Sequence, residues 1–482
     1  MDRSSSIFGN QQPKSVTAKA NKTQKRYTKK FGDDSQVNYP LKSRANPILK
    51  PYIGVENLEI GQCDAHCWDE KGIIVGNIRM GYGHYRISMA IASAANHLGY
   101  TPYWFDLNAY QQTTGGKVIN HLNKLYSLGS RLSQKYSLFN KLYWEKLNSE
   151  GFRKLSYNAM DQKVTELMTP VYRNLPKQMP FIATHTWPAQ AAIHAGMDNV
   201  INIVPDNWPM ALHLAEGAKH LVQTPSSYFG YRMLKGMDGD KALHPMPAKD
   251  IHYVGHFIDH ELLADLHADC EKRIQRANSD QAMRVLLTIG GAGAQFDTYK
   301  VMIKKLLPML KQNKVCLMIN VGDYKNVWDK LCEEIPELEA QTICFADDWQ
   351  GTQEFVNMAL SNNISGVYAF HHSDIYCAVY TTNLLIRATD IMVTKPSELA
   401  FYPVPKLMIK RVGGHEAYGA LRAAEVGDGT IEFNQTEAAL AMLEVMLEDP
   451  SVLEMMCTNI LKAHSIGIYD GAYRAVEMAV NK

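Results

Sequence analysis

The stretch GIIVGNIRMGYGHYRISMAIASAANHLGYTPYWFDLN, Gly72 to Asn108, decides the fold. GIIVGNI is a short apolar run rich in β-branched residues, which reads as a buried strand. SMAIASAANHLG carries small and apolar residues at helical spacing, and Gly99 stands where a helix stops. TPYWFDLN reads as the next strand. Strand, glycine loop, helix and strand in that order make one unit of an open α/β sheet, which takes ligands at the C-terminal ends of its strands. The loop between the first strand and the helix holds Gly81, Tyr82, Gly83 and His84. Glycines there keep the backbone open to a ligand, and His84 is the side chain with proton chemistry to offer. A tight turn with His84 as a helix cap is the other reading.

The chain around this unit has 482 residues, too many for one core, so at least two domains are expected. Hydrophobic residues make up 46% and charged residues 21%, the balance of a soluble globular protein. The net charge of +1 supplies no whole-chain field, and no nucleic-acid partner is expected. Residues 1–50 nevertheless hold eleven Lys and Arg against three Asp, a local net of +8 that leaves −7 for the rest. No apolar run approaches the roughly 18 residues of a spanning helix. The N-terminus lacks the apolar core of a signal peptide, so a cytoplasmic location is expected, with peripheral membrane contact as a variant. Eight cysteines are then expected to be thiols. Cys63 and Cys67, flanking His66, lack a second cysteine pair to complete a metal set.

Residues 1–50 are polar and basic, and their composition predicts a disordered tail. Residues 51–260 carry the unit above and further strands at PFIATH, NVINIVPD, HLVQTP and DIHYVGHF, an expected N-terminal acceptor domain. Within it, about 115–175 reads as a helical insert in which aromatics, leucines and lysines alternate. Such a stripe serves either a core or a membrane surface. Residues 261–465 repeat the organisation with MRVLLTIGGAGAQ, YKVMIKKLLPMLKQN and KVCLMINVGD, an expected donor domain, and 466–482 is expected to form a C-terminal helix. Two such domains facing each other would frame a cleft lined by strand ends.

Chemistry-bearing motifs sit at those strand ends. TIGGAGAQ brings Gly290, Gly291 and Gly293 to the start of a helix, where backbone N–H groups can face an anion. No G-x-x-x-x-G-K-[ST] occurs, which argues against a P-loop nucleotidase. VTKPSELAFYPVPKLMI places Thr394, Lys395, Ser397 and Glu398 after a strand, with Pro396 suited to a first helical turn. A carboxylate there can accept from the two hydroxyls of a ribose, and Lys395 suits a phosphate. RVGGHEAYG sets Gly414, His415 and Glu416 on a flexible turn. THTW and VPDNWP end two successive strands and supply Thr184, His185 and Asp206. His84 and Asp206 can form a proton-transfer pair in which the carboxylate holds the imidazole tautomer. MDGDK and FADDW read as turns rather than metal sites.

These landmarks, in this order over roughly 72–465, resemble glycosyltransferases of the two-Rossmann-domain (GT-B) architecture. They are most similar to family 28, the group of monogalactosyldiacylglycerol synthase, diacylglycerol glucosyltransferase and the peptidoglycan N-acetylglucosaminyltransferase. The resemblance rests on MGYGHYRISMAIA, on VPDNWPMALHLAEGAKHLVQTPSSYFGYRMLKG and on DIMVTKPSELAFYPVPKLMIKRVGGHEAYGALRAAEVGDG. It implies two Rossmann-like α/β domains facing across a cleft. It also implies inverting, metal-independent transfer from a nucleoside-diphosphate sugar, expected to be a UDP-sugar, to a hydroxyl acceptor, with a lipid as one acceptor class and no resident cofactor. His84 would be the acceptor-side base with Asp206 supporting it. Gly81, Tyr82, Gly83, Thr184 and His185 would line the acceptor side. Glu398 would bind the donor ribose, while Gly290, Gly291, Gly293, Thr394, Lys395, Ser397, Gly414, His415 and Glu416 would surround the rest of the donor. A nucleotide-sugar 2-epimerase and a catalytically silent binding protein share the architecture and stand as alternatives. The turn TKPSE is shorter than the family's usual one.

Overall fold

Apolar strands that do not alternate must be covered on both faces, and in the computed structural model helices cover them. The structure describes residues 2–62, 68–135, 150–290, 293 and 295–481, without the side chains of 126–135 and 415. The Cys63–Cys67 motif and part of the aromatic insert lie outside the described residues. The chain divides into two α/β units. Unit 1 comprises Met1–Asp259, Gly413–His415 and Asp470–Lys482; unit 2 comprises His260–Val412 and Glu416–Tyr469.

Unit 1 begins with a hairpin, β1 (Ser6–Ile7) and β2 (Asn10–Gln11), followed by α1 (Lys14–Phe31). Its strands continue as β3 (Leu41–Ala45), β4 (Glu56–Ile60), β5 (Gly72–Asn77), β6 (Thr101–Asp106), β7 (Phe181–Ala183), β8 (Val200–Val204), β9 (Lys219–Val222), β10 (Met237–Asp240) and β11 (Ile251–Tyr253). Between them lie α2 (Lys50–Ile53), α3 (Gly83–His97), α4 (Thr114–Lys135), α5 (Leu155–Thr165), α6 (Thr186–His194) and α7 (Pro225–Arg232). Eight strands form one sheet in the order β11-β9-β8-β7-β5-β6-β4-β3. The β3–β4 pair is antiparallel and the other pairs are parallel.

All of β5 is buried, as its β-branched run requires. Ile73 and Val75 face Ile87 and Ile91 of α3, while Ile74 joins the cluster of Phe181 and the α6 alanines 189, 191 and 192. From β5 the chain steps one way to β6, then returns to lay down β7, β8 and β9 the other way. The reversal makes the C-terminal ends of β5 and β7 the switch point of unit 1, the place where open α/β sheets bind ligands. The last helix, Gly471–Val480, packs its Ala472, Ala475, Val476 and Ala479 into the α3 face.

The expected disordered tail is corrected. Ile7 and Phe8 are buried in one cluster with Leu155 and Val204, and Tyr27 of α1 lies in another with Val118 and Ile119. The segment's mean composition is polar, but its few apolar residues recur on one side of α1, so a single stripe suffices to dock it on α4 and α5.

Unit 2 holds β12 (Met283–Thr288), β13 (Val315–Gly322), β14 (Thr342–Ala346), β15 (Gly366–His371), β16 (Ile391–Thr394) and β17 (Lys406–Met408), all paired in parallel in the order β14-β15-β13-β12-β16-β17. Its helices include α8 (His260–Ala264), α9 (Leu266–Ala277), α10 (Phe296–Lys311), α11 (Lys325–Glu334), α12 (Pro336–Gln341), α13 (Trp349–Ser361), α14 (Ile375–Arg387), α15 (Ala417–Val426), α16 (Thr436–Glu448) and α17 (Pro450–Ser465). Val285 and Leu287 of β12 pack with Ile303 and Leu306 of α10. On the opposite face Arg284 donates to the α13 carbonyl of Ala359 at 2.6 Å. The buried Arg276 holds Asp390 through Nε and Nη2, one edge of its guanidinium, with contacts of 2.6–3.0 Å. Asp390 also accepts from the Arg284 backbone N–H at 2.9 Å, so breaking this pair would cost about 3–5 kcal/mol. Strand order reverses between β12 and β16, and that is the switch point of unit 2. Among the described residues no helix is long and apolar enough to cross a membrane.

Candidate functional site

In unit 1 the loop from β5 to α3 passes through Gly81 at φ +84°, a left-handed conformation that favours glycine. A Cβ at Gly81 would meet nothing within 4 Å, so the glycine serves the turn and not a close approach. Tyr82 precedes α3, Gly83 opens it, and the Arg86 guanidinium lies 5.9 Å from the Tyr82 ring centre. His84 therefore emerges in the first helical turn beside the switch point. Its Nδ1 lies 2.6 Å from the Thr184 carbonyl oxygen at the end of β7. A carbonyl can only accept, so Nδ1 carries the proton and the basic electron pair of the neutral ring is on Nε2. Ser88 ties the same corner together, its hydroxyl 2.9 Å from the His84 carbonyl and 2.8 Å from Thr184 Oγ1.

His185 caps α6, its Nδ1 accepting from the Trp187 N–H at 3.1 Å. Its ring meets that of His84 edge to face, with centroids 4.8 Å apart. Burial, reinforced by His84 and His213, holds the His185 imidazole well below its ordinary range, so it stays neutral.

Asp206 follows β8, and its Oδ2 lies 2.9 Å from His213 Nε2. The Thr184 carbonyl fixes the His84 tautomer at Nδ1, and one oxygen of the Asp206 carboxylate meets His213. His213 is buried, and its Nδ1 has no hydrogen-bond partner among the described residues. Sequence reasoning did not single out His213. The available signal was the Asp206–His213 spacing within VPDNWPMALH, which a turn back over the strand end converts into contact.

In unit 2 the loop after β12 flanks the second switch point. Gly290 has open space where a Cβ would stand. Gly293 adopts φ +83° and Gln295 φ +65°, two left-handed residues that turn the chain sharply into α10. Gly291 lies outside the described residues. Tyr299 of α10 donates to the Thr288 carbonyl at 2.9 Å and pins helix to strand. Thr288 Oγ1 reaches the Val393 carbonyl at 3.2 Å, joining the loop's root to β16.

Beyond β16, Thr394 is buried with its hydroxyl 3.1 Å from the Lys395 carbonyl. Ser397 N–H donates back to that carbonyl at 2.8 Å, and Glu398 then opens a short 3₁₀ turn, Glu398–Phe401. Lys395 and Glu416 form an ion pair, and the second Glu416 oxygen accepts from the Val412 N–H at 2.7 Å. The structure thus brings Lys395 and Glu416 together, with the Lys charge countered by a carboxylate. Gly414 is exposed in the 3₁₀ turn Gly414–Glu416, and the His415 side chain lies outside the described residues. In FADDW, Asp347 adopts φ +52° and accepts from both the backbone and the hydroxyl of Ser373, at 2.6 and 2.8 Å. Among the described residues no group of three or more His, Cys, Asp or Glu is arranged to hold a metal ion.

Residues 6–233 match a family model described as a domain of unknown function, DUF6937, and residues 246–480 match a second, DUF6938. No curated protein matches the sequence. Among solved structures the chain is similar to the UDP-GlcNAc 2-epimerase of Neisseria meningitidis, at 13% identity and a TM-score of 0.46 over 85% of this chain and 100% of that one. It is similar to WaaG, a glycosyltransferase involved in lipopolysaccharide biosynthesis, at 12% identity and a TM-score of 0.42 over 85% and 100%. It is also similar to the α,α-trehalose 6-phosphate synthase of Burkholderia multivorans, at 11% identity and a TM-score of 0.41 over 84% and 98%. Likenesses of this size assign no activity.

Proposed function

We propose that this chain is an inverting glycosyltransferase that moves a sugar from a nucleoside-diphosphate donor, a UDP-sugar, to a hydroxyl acceptor. The observation that carries the reading is His84, whose Nδ1–H is anchored on the Thr184 carbonyl at 2.6 Å at a switch point, which puts the basic electron pair on Nε2. In this reading Nε2 takes the acceptor's hydroxyl proton as the acceptor oxygen attacks the anomeric carbon. The bond from that carbon to the diphosphate breaks, and the diphosphate leaves with the electron pair. Unit 1 handles the acceptor. Unit 2 holds the donor, with Glu398 on the ribose hydroxyls and the Gly290–Gly293 backbone beside the phosphates. The buried, neutral His185 beside His84 supports the reading, because a protonated neighbour would disfavour the imidazolium that forms.

The test is a thermal-shift panel of UDP and UDP-sugars on wild type, Glu398→Ala and His84→Ala, followed by donor turnover. A ligand at a hundred times its Kd adds about 2.7 kcal/mol of stability. The expected result is a shift with uridine nucleotides that Glu398→Ala loses and His84→Ala keeps, while His84→Ala loses at least a hundredfold in turnover. Interconversion of the donor at C2 without any acceptor would overturn the reading in favour of an epimerase. Binding without turnover would make the chain a silent binder, and a product of retained configuration would exclude the direct displacement.

A further inference from the structure

We propose that the outer face of α1 is a docking surface for an anionic lipid bilayer. The inference does not rest on the transferase reading. Seven of the eighteen residues of α1 are cationic and none is acidic: Lys14, Lys19, Lys22, Lys25, Arg26, Lys29 and Lys30. All seven are exposed, while Ala20 and Tyr27 are buried on the opposite side. At 3.6 residues per turn the cations sweep roughly 160° of the helix, and the buried stripe takes the rest.

None of the seven forms an ion pair with a carboxylate among the described residues. Arg26 and Lys30 lie over the Tyr27 and Phe31 rings at 5.1 and 5.0 Å, and Lys30 Nζ is 3.4 Å from His121 Nε2 on α4. The acids that follow α1 or touch it have partners other than the seven cations. Asp33 accepts from the Ser35 N–H, Asp34 from Tyr39 and the Thr114 N–H, and Glu166 from Gln24 and Lys163. Lys117 and Lys124 of α4 add to the same sign of charge and are exposed. His121 reports the result: burial and then the positive charges of Lys30, Arg26 and Lys124 hold its imidazole below the ordinary range. On a chain with a net charge of only +1, this concentration is local.

The chemistry favours lipid over nucleic acid. Six of the seven cations are lysines, point charges without the planar fork that reads base edges. The cationic arc offers no exposed aromatic ring on which a base could stack. Because α1 is docked along its inner side on α4 and α5, it presents a cationic rail about 27 Å long, suited to a layer of anionic headgroups.

The test is flotation of the full-length protein with vesicles of phosphatidylcholine and phosphatidylglycerol at 7:3, against pure phosphatidylcholine, for wild type and the triple variant Lys22→Glu/Lys25→Glu/Lys29→Glu. All three positions are exposed, and circular dichroism establishes that the variant is folded. Wild type should float with the anionic vesicles only, release as salt rises from 0.1 to 0.5 M, and bind roughly a hundredfold more tightly than the variant. A folded single variant, Lys25→Glu, should fall between them. Absence of wild-type binding, equal binding to neutral vesicles, or retained binding by the folded variants would overturn the proposal. So would tighter binding to poly(U) RNA than to the anionic vesicles at the same salt, which would make α1 a nucleic-acid surface.

Discussion

His84 and Glu416 show how far a single side chain's role depends on its neighbour. His84 lies 2.6 Å from a backbone carbonyl, a partner that no sequence motif names. Glu416 stands beside Lys395, and its second oxygen caps the Val412 N–H. If the donor diphosphate uses Lys395, it must compete with Glu416 for that ammonium. Replacing Glu416 with Gln keeps an acceptor for Val412 and removes the competing charge. The expected outcome is UDP binding about five- to tenfold tighter in Glu416→Gln, roughly 1 kcal/mol, measured by titration calorimetry. Weaker binding would mean that Glu416 builds the site rather than occupying it. At this scale the sequence exposed the residue types. The pairings His84–Thr184, Asp206–His213 and Lys395–Glu416 join positions 7 to 100 residues apart and came only with the fold.

At the scale of elements, unit 1 is built around buried neutral histidines at strand ends and helix caps. Burial holds His185 well below the ordinary imidazole range and pushes His194 and His220 down to about 4. His220 shows why the neutral form fits: Nδ1 donates to the Asp250 carbonyl at 3.0 Å and Nε2 accepts from the Ala215 N–H at 2.9 Å. In the unfolded chain these rings titrate near 6.5. Between about pH 6.5 and 4 the unfolded state therefore binds protons that the folded unit does not, and stability falls as pH drops through that window. The midpoint of thermal unfolding should decline steadily from pH 6.5 to 5, before most carboxylates titrate. The buried Asp161 and Asp106, raised to about 8 and about 6, oppose this trend, so a decline that His220→Gln does not lessen would refute the contribution of His220. The strands, the glycine turns and the helix after β5 were legible because periodicity and β-branching are local. The order of α1 was not, because Tyr27 counts for little in an average of composition and for much as one knob in the Val118–Ile119 cluster.

The chain leaves unit 1 at Asp259, builds unit 2 with a brief return to unit 1 at Gly413–His415, and comes back at Asp470 to finish unit 1. The returning helix is held by the Gly471 N–H on the His256 carbonyl at 2.9 Å, and a Cβ at Gly471 would stand only 2.4 Å from the Gly255 carbonyl oxygen. It buries three alanines and Val476 against α3. Deleting residues 470–482 should destabilise unit 1 by on the order of 4 kcal/mol, the apolar burial of those side chains. Hydrogen exchange would read the loss in β5, β7 and α3, with β12, β13 and α10 still protected. Equal loss in both sets would contradict the assignment of that helix to unit 1. Two parallel α/β units, and the loops that stand at their strand ends, can be read from the chain alone, because strand and helix periods and glycine turns are written over a few neighbouring residues. Where the strand order reverses, that the basic N-terminal segment is a docked helix, that the last helix closes the first unit, and which polar groups meet became visible only in the folded chain. Those outcomes depend on surfaces assembled from residues far apart in the chain, whose contacts form only once the sheets are built.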